Sequence, residues 1–181
     1  MSYGINQHES RSRLTPGLIA IAMAFGAVAA IPAVFLEMTG TVGFIVVGVQ
    51  EIDLLTILAV VVLAPVVEET VKPLGLYLAR YELRNNLRLI DWALLGLMAG
   101  LGFKILEDLL YIFVYFNAEY GTEGMLAGAL MRTHFPTHLL ATSITGFGIG
   151  IWHQSRRVWP FVLSLLIAIT IHAVFNLSMT I

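Results

Sequence analysis

Long apolar stretches dominate this sequence of 181 residues and restrict what it can fold into. Crossing a bilayer takes about 20 apolar residues, because an α-helix rises about 1.5 Å per residue. Hydrophobic residues make up 58% of the chain and charged residues 12%, which is about half the charged share of a soluble domain. The sequence therefore predicts an all-α, polytopic membrane helix bundle in which residues 1–181 form a single domain. About five transmembrane helices are expected, over Gly17–Leu36, Leu54–Ala79, Trp92–Phe116, Met125–Gly150 and Phe161–Ile181.

The charges between these stretches predict how the bundle is oriented. The first and third loops carry only acidic charges, whereas the N-terminal tail and the other two loops carry arginines. Because arginine-rich loops stay in the cytoplasm, we expect the N-terminus on the cytoplasmic side of the cell membrane and the C-terminus on the outer side. Thr41–Gln50, in the first loop, is apolar but too short to cross, so we expect a short interfacial or re-entrant helix there. The arginines are Arg11, Arg13, Arg80, Arg84, Arg88, Arg156 and Arg157.

The composition excludes several classes of function. A net charge of −2 gives no electrostatic basis for binding nucleic acid. Because the chain has no cysteine, it has no disulfide, thiolate metal site or cysteine nucleophile. It also lacks the G-x-S-x-G turn of serine hydrolases and the H-E-x-x-H helix of zinc proteases. Any chemistry must therefore come from other ionisable residues.

Ionisable residues do occur within the predicted spans. One charge at the centre of a membrane helix costs about 3 kcal/mol, so these side chains must face one another or water inside the bundle. Their spacing allows this, because Glu68 and Lys72 are four residues apart, as are Lys104 and Asp108. The pattern predicts a polar, water-filled cavity enclosed by the second, third, fourth and fifth spans. Its residues are Glu68, Glu69, Lys72, Lys104, Glu107, Asp108, Arg132, His134, His138 and His172.

Carboxylates and histidines together can hydrolyse an amide bond in two ways. In the first, a carboxylate acts as general base on a water, a histidine shares the proton, and another polar group stabilises the oxyanion. In the second, Glu107, His138 and His172 bind a zinc ion whose bound water attacks the carbonyl. The residues alone leave both routes open.

Four short motifs contain most of these residues. They are E-E-x-x-K at Glu68–Lys72, G-F-x-x-x-E at Gly102–Glu107, R…H-x-x-x-T at Arg132–Thr142 and H-A-x-x-N at His172–Asn176. In this order they resemble the motifs of the PrsW-type intramembrane proteases, a family related to the CAAX-type prenyl-protein proteases. Asp108 stands where that family usually has Asn.

The resemblance implies an activity and a substrate class. It implies an intramembrane peptidase that lies in the lipid bilayer and cuts a single-pass membrane protein. The implied reaction is similar to the site-1 cleavage of membrane-anchored anti-sigma factors. The family is often catalogued among metalloproteases, so the resemblance is also consistent with a Zn²⁺ ion, with Glu107, His138 and His172 as the ligands.

The resemblance further implies roles for individual residues. Glu68 or Glu69 is expected to be the base that activates water. The other expected catalytic residues are Glu107 and His138 at the water site, and His172 and Asn176 at the oxyanion. Supporting roles are expected for Lys72, Arg132 and Asp108.

Two other functions stay open. Ionisable residues within a membrane also build proton or cation pathways, although transporters usually show an inverted repeat and this sequence shows none. A non-catalytic scaffold that binds a partner's transmembrane helix would have the same apolar pattern. Glutamate-to-glutamine substitutions separate the protease from the scaffold, and a proton-flux assay in vesicles tests the transporter.

Overall fold

Helices are the only regular secondary structure that the computed structural model shows in the residues it describes, which are 14–46, 57–82, 87–132 and 136–180. The predicted all-α fold is confirmed. The α-helices are α1 (Pro16–Val46), α2 (Ala64–Val71), α3 (Leu74–Glu82), α4 (Leu89–Leu110), α5 (Asn117–Arg132), α6 (Thr137–Ser155) and α7 (Trp159–Thr180). Two π-helical segments, Ala59–Leu63 and Tyr111–Phe116, directly precede α2 and directly follow α4.

Three helices in the described ranges are long and apolar enough to cross a membrane. They are Pro16–Phe35, Leu89–Val114 and Trp159–Ser178. These segments coincide with the first, third and fifth predicted spans, so the chain is a multi-pass membrane protein. The total of about five crossings stays a prediction.

The second predicted span, Leu54–Ala79, is helical from residue 57 but is interrupted near its middle. Lys72 and Pro73 form a turn between α2 and α3. Proline has no N–H to donate to the carbonyl four residues back, and its ring clashes with that carbonyl, so it breaks the helix. The interruption falls directly after the paired glutamates of α2.

The fourth predicted span, Met125–Gly150, differs more from the prediction because it is not one helix. Helix α5 ends at Arg132 and α6 begins at Thr137, while residues 133–135 lie outside the described ranges. Pro136 directly precedes α6 with φ −83° and ψ 37°, which is outside the helical region. A proline at the start of a helix costs no internal hydrogen bond, which explains why α6 begins here.

The first helix extends beyond the predicted end at Leu36. Helix α1 continues to Val46, so Thr41–Val46 prolong α1 and do not form a separate short helix. Residues 37–46 contain no proline, and half of them are hydrophobic, so no proline ends the helix in this segment. The rest of the expected re-entrant helix, residues 47–50, lies outside the described residues.

Helix α4 lies between α1 and α6, α7 packs on α6, and α2 packs on both α1 and α7. The contact between α4 and α6 is very close. A Cβ atom on Gly96 would meet the carbonyl oxygen of Thr142, and one on Gly100 would meet that of His138. The predicted close approach at this G-x-x-x-G is therefore confirmed, and it places the backbone of α6 directly against α4.

The distribution of burial is the reverse of that in a soluble protein. Lys72 and Glu69 are completely buried, whereas Phe35 is 65% exposed and Val174 is 61% exposed. Lipid can cover exposed apolar side chains, but a charge in lipid is costly, so the charges lie inside.

Candidate active site

Helix α2 supplies two carboxylates, and the turn that ends it supplies an ammonium. Glu68 and Glu69 are consecutive, and Lys72 follows them by four and three residues, so all three meet on one side of the helix. Nζ of Lys72 lies 2.7 Å from Oε2 of Glu68 and 2.7 Å from Oε1 of Glu69. The predicted pairing of Glu68 with Lys72 is confirmed, and Glu69 shares the same cation.

Helix α6 supplies His138 in its first turn, and this ring contacts two helices. Its Nδ1 lies 2.7 Å from Nζ of Lys72, and its Nε2 lies 3.1 Å from Oε2 of Glu107 on α4. An ammonium can only donate hydrogen bonds, so Nδ1 accepts and the ring proton of a neutral His138 is on Nε2. At this nitrogen, the carboxylate of Glu107 lies within ion-pair distance.

Helix α7 supplies His172 from the other side of the cluster. Its Nδ1 lies 2.9 Å from Oε1 of Glu69 and 3.9 Å from Oε2 of Glu68. Oε1 of Glu69 therefore contacts both Lys72 and His172, whereas its Oε2 makes no hydrogen bond within the described ranges. The rings of His138 and His172 meet edge to face with their centroids 4.9 Å apart.

Four buried side chains from three helices form a group that can hold a metal ion: Glu68, Glu69, His138 and His172. One ligand atom from each lies within 4.8 Å of the others. Zinc binds nitrogen and oxygen ligands at about 2.0–2.2 Å, which puts tetrahedral ligands about 3.3–3.6 Å apart. Two carboxylates and two imidazoles are ligands that zinc accepts. The donor set therefore fits a metal, with Glu68 and Glu69 in the group and Glu107 outside it, on the far nitrogen of His138.

Asn176 lies one helical turn beyond His172. Its side-chain Nδ2 donates a hydrogen bond of 2.9 Å to the carbonyl oxygen of Val60, in the π-helical segment before α2. A π-helix departs from the regular α-helical bonding pattern, and such segments are frequent at functional sites. Asn176 thus links α7 to the segment that leads into the paired glutamates.

Of the other predicted supporting residues, Asp108 lies elsewhere. Asp108 pairs with Lys104 at 2.8 Å, and their side chains are 21% and 18% exposed, so this pair is separate from the buried group. Arg132 is the last residue of α5, and its side chain, like the whole of His134, lies outside what the structure describes.

Sequence reasoning assigned no role to the side chain of Phe103. Nζ of Lys72 lies 4.2 Å from the centroid of the Phe103 ring, and the His138 ring lies 5.5 Å from it. An aromatic face attracts a cation, so Phe103 is a further wall of the site. Its position four residues before Glu107 on α4 was the available signal, because residues at that spacing share a helix face.

Apolar helices on the outside and a buried carboxylate–histidine–lysine group within define a multi-pass membrane protein with its site inside the bundle. The family model described as PrsW family intramembrane metalloprotease matches residues 15–181. The chain belongs to this family, as its motifs suggested, and the family implies a membrane-protein substrate in a lipid environment. No curated protein and no solved structure matches it.

Proposed function

We propose that the buried group hydrolyses a peptide bond in or near the transmembrane segment of a single-pass membrane protein. The observation that carries this proposal is the convergence of Glu68, Glu69, His138 and His172, with one ligand atom from each within 4.8 Å. Two separate helices contribute the histidines, and a helix that ends at a turn contributes the carboxylates. Groups brought together in this way provide a base, a proton carrier and a stabilising cation at one place.

Glu69 is the proposed general base. Its Oε1 is already held by Lys72 and His172, so the carboxylate has a fixed orientation. Its Oε2 is buried and has no hydrogen-bond partner in the described ranges, and a buried carboxylate oxygen of this kind is a suitable acceptor for a water. His172, on the same carboxylate, can share the proton that the base removes from that water.

The other members of the site stabilise charge and position groups. Lys72 neutralises part of the negative charge of Glu68 and Glu69, which lie beside each other in the buried interior. Glu107 holds the ring of His138 from its far nitrogen. An amide has two N–H donors, so the bond from Asn176 to Val60 is compatible with the proposed contact to the oxyanion.

A metal ion, which the family name implies, would be held by Glu68, Glu69, His138 and His172. When bound, it would polarise the carbonyl of the peptide bond and make a water a better nucleophile at neutral pH.

The proposed orientation has the N-terminus in the cytoplasm, because Arg88, Arg156 and Arg157 flank the spans on one side.

The test is cleavage of a transmembrane peptide by the full chain reconstituted in lipid vesicles. We expect Glu68→Gln, Glu69→Gln and His138→Ala to lower the rate at least 100-fold, and Glu123→Gln to leave it unchanged. Glu123 is the matched control because it is an exposed glutamate on α5. Wild-type rates in all three site variants would contradict the proposal. A folded wild type that binds the peptide without cutting it would instead indicate a scaffold.

A further inference from the structure

The ammonium of Lys72 contacts three of the four residues proposed to bind a metal. Nζ is 2.7 Å from Oε2 of Glu68, 2.7 Å from Oε1 of Glu69 and 2.7 Å from Nδ1 of His138. An ammonium has three N–H donors, and these three acceptors use all of them. The side chain is completely buried, and its charge also lies over the ring of Phe103.

These three acceptors belong to three of the four residues that can bind a metal. A zinc ion bound to the same atoms would lie about 2.0–2.2 Å from each of them. A dication and an ammonium that share three ligands would be nearly in contact, and in a buried site this repulsion is only weakly screened. The two cations therefore cannot occupy the cluster together in this arrangement.

We infer that Lys72 is a built-in counter-cation that occupies the metal position, so that a divalent metal ion binds only by displacing it. Lys72 then sets how tightly the cluster holds a metal. The same contacts keep the paired carboxylates neutralised when no metal is bound, so the bundle does not need a metal in order to fold. This differs from a structural zinc site, in which binding of the metal supplies the folding energy.

The inference concerns the site of the proposed function and rests on its ligands, but not on catalysis. Zinc binding and thermal unfolding are both measured without a substrate. A protein that binds zinc more tightly when Lys72 is replaced, but cleaves nothing, would refute the proposed hydrolysis alone. A protein that cleaves peptides while Lys72 has no effect on zinc would refute this inference alone.

The first experiment compares Lys72→Met with the wild type and with Lys104→Met. Lys104 is the matched control because it also pairs with an acid four residues away on a membrane helix, but outside the cluster. Zinc affinity is measured in detergent by competition with a chromophoric chelator, and bound zinc by elemental analysis. We expect Lys72→Met to bind zinc at least tenfold more tightly than the wild type, and Lys104→Met to bind it as the wild type does.

Thermal unfolding gives a second readout. We expect a strong chelator to leave the wild type folded and to lower its unfolding temperature less than that of Lys72→Met. In Lys72→Met, no cation neutralises the two carboxylates when metal is absent. The chelator therefore lowers the unfolding temperature of this variant, and added zinc restores it. Equal zinc affinity in Lys72→Met and wild type, or a wild type that unfolds when zinc is removed, overturns the inference.

A double variant with balanced charges tests the inference if Lys72→Met does not fold. Glu69→Gln/Lys72→Met removes one negative and one positive charge together, so the net charge of the cluster is that of the wild type. Zinc affinity is compared between this double variant and Glu69→Gln alone, which lack the same carboxylate. We expect the double variant to bind zinc at least tenfold more tightly, and equal affinities overturn the inference.

Discussion

Nε2 of His138 lies 3.1 Å from Oε2 of Glu107, on the side of the ring away from the paired glutamates. Glu107 is therefore placed to orient a histidine, with the other ring nitrogen turned to Lys72. Carboxylates that hold the far nitrogen of a metal-binding histidine fix its orientation and its tautomer. On this arrangement, we propose that Glu107 supports the site from outside the four-residue group.

Glu107→Leu is expected to lower both zinc affinity and peptide cleavage by about 10–100-fold, because the His138 ring loses its fixed orientation. Glu107→Gln is expected to have a smaller effect, since the amide keeps a polar group of the same shape beside Nε2. Zinc competition and a cleavage assay on the two variants check this order. Equal losses in both variants would mean that the negative charge of Glu107 is required, and not merely a polar group beside the His138 ring.

Gly100→Ala is expected to disrupt the site from outside it. The new Cβ atom would meet the backbone carbonyl of His138, so α6 must move away from α4 and carry His138 with it. Overpacking of this kind typically costs about 1–3 kcal/mol. Gly17→Ala is the control, because a Cβ there has only Thr15 nearby, at 3.9 Å. Thermal unfolding and cleavage rates of both variants test this, and a Gly100→Ala that matches Gly17→Ala in both would contradict it.

Asn176→Ala is expected to loosen the link between α7 and the π-helical segment. The lost hydrogen bond to the carbonyl of Val60 is worth about 0.6 kcal/mol on average for bonds between membrane helices, with a maximum near 1.7. Ser178→Ala is the comparison, since its hydroxyl donates only to Phe175 of the same helix. Unfolding in detergent measures the difference. If the two variants are equally stable, the bond does not hold the helices together.

Local spacing predicted the contacts within single helices correctly. The pairs Glu68 with Lys72 and Lys104 with Asp108 both follow from a four-residue interval, and the structure places each pair in contact. Such contacts depend only on the pitch of the helix. The close approach at Gly96 could also be read from the sequence, because only small residues let two helix backbones meet.

Contacts between helices could not be derived in the same way. The pairing of His172 with Glu69 and the link from Asn176 to Val60 span more than a hundred residues. They depend on how each helix is rotated about its axis and on where its prolines interrupt it. Apolar spans that are hydrophobic on nearly all sides carry little information on rotation, so periodicity left these contacts undetermined.

The most direct test of the central claim is the single-turnover cleavage rate of Glu69→Gln, measured on a transmembrane peptide in vesicles beside wild type and Glu123→Gln. The account predicts that Glu69→Gln loses a factor of about 10²–10⁴ while its unfolding temperature stays near that of the wild type. It also predicts that Glu123→Gln cleaves at the wild-type rate. A folded Glu69→Gln that cleaves as fast as Glu123→Gln would contradict the assignment of Glu69 as the base.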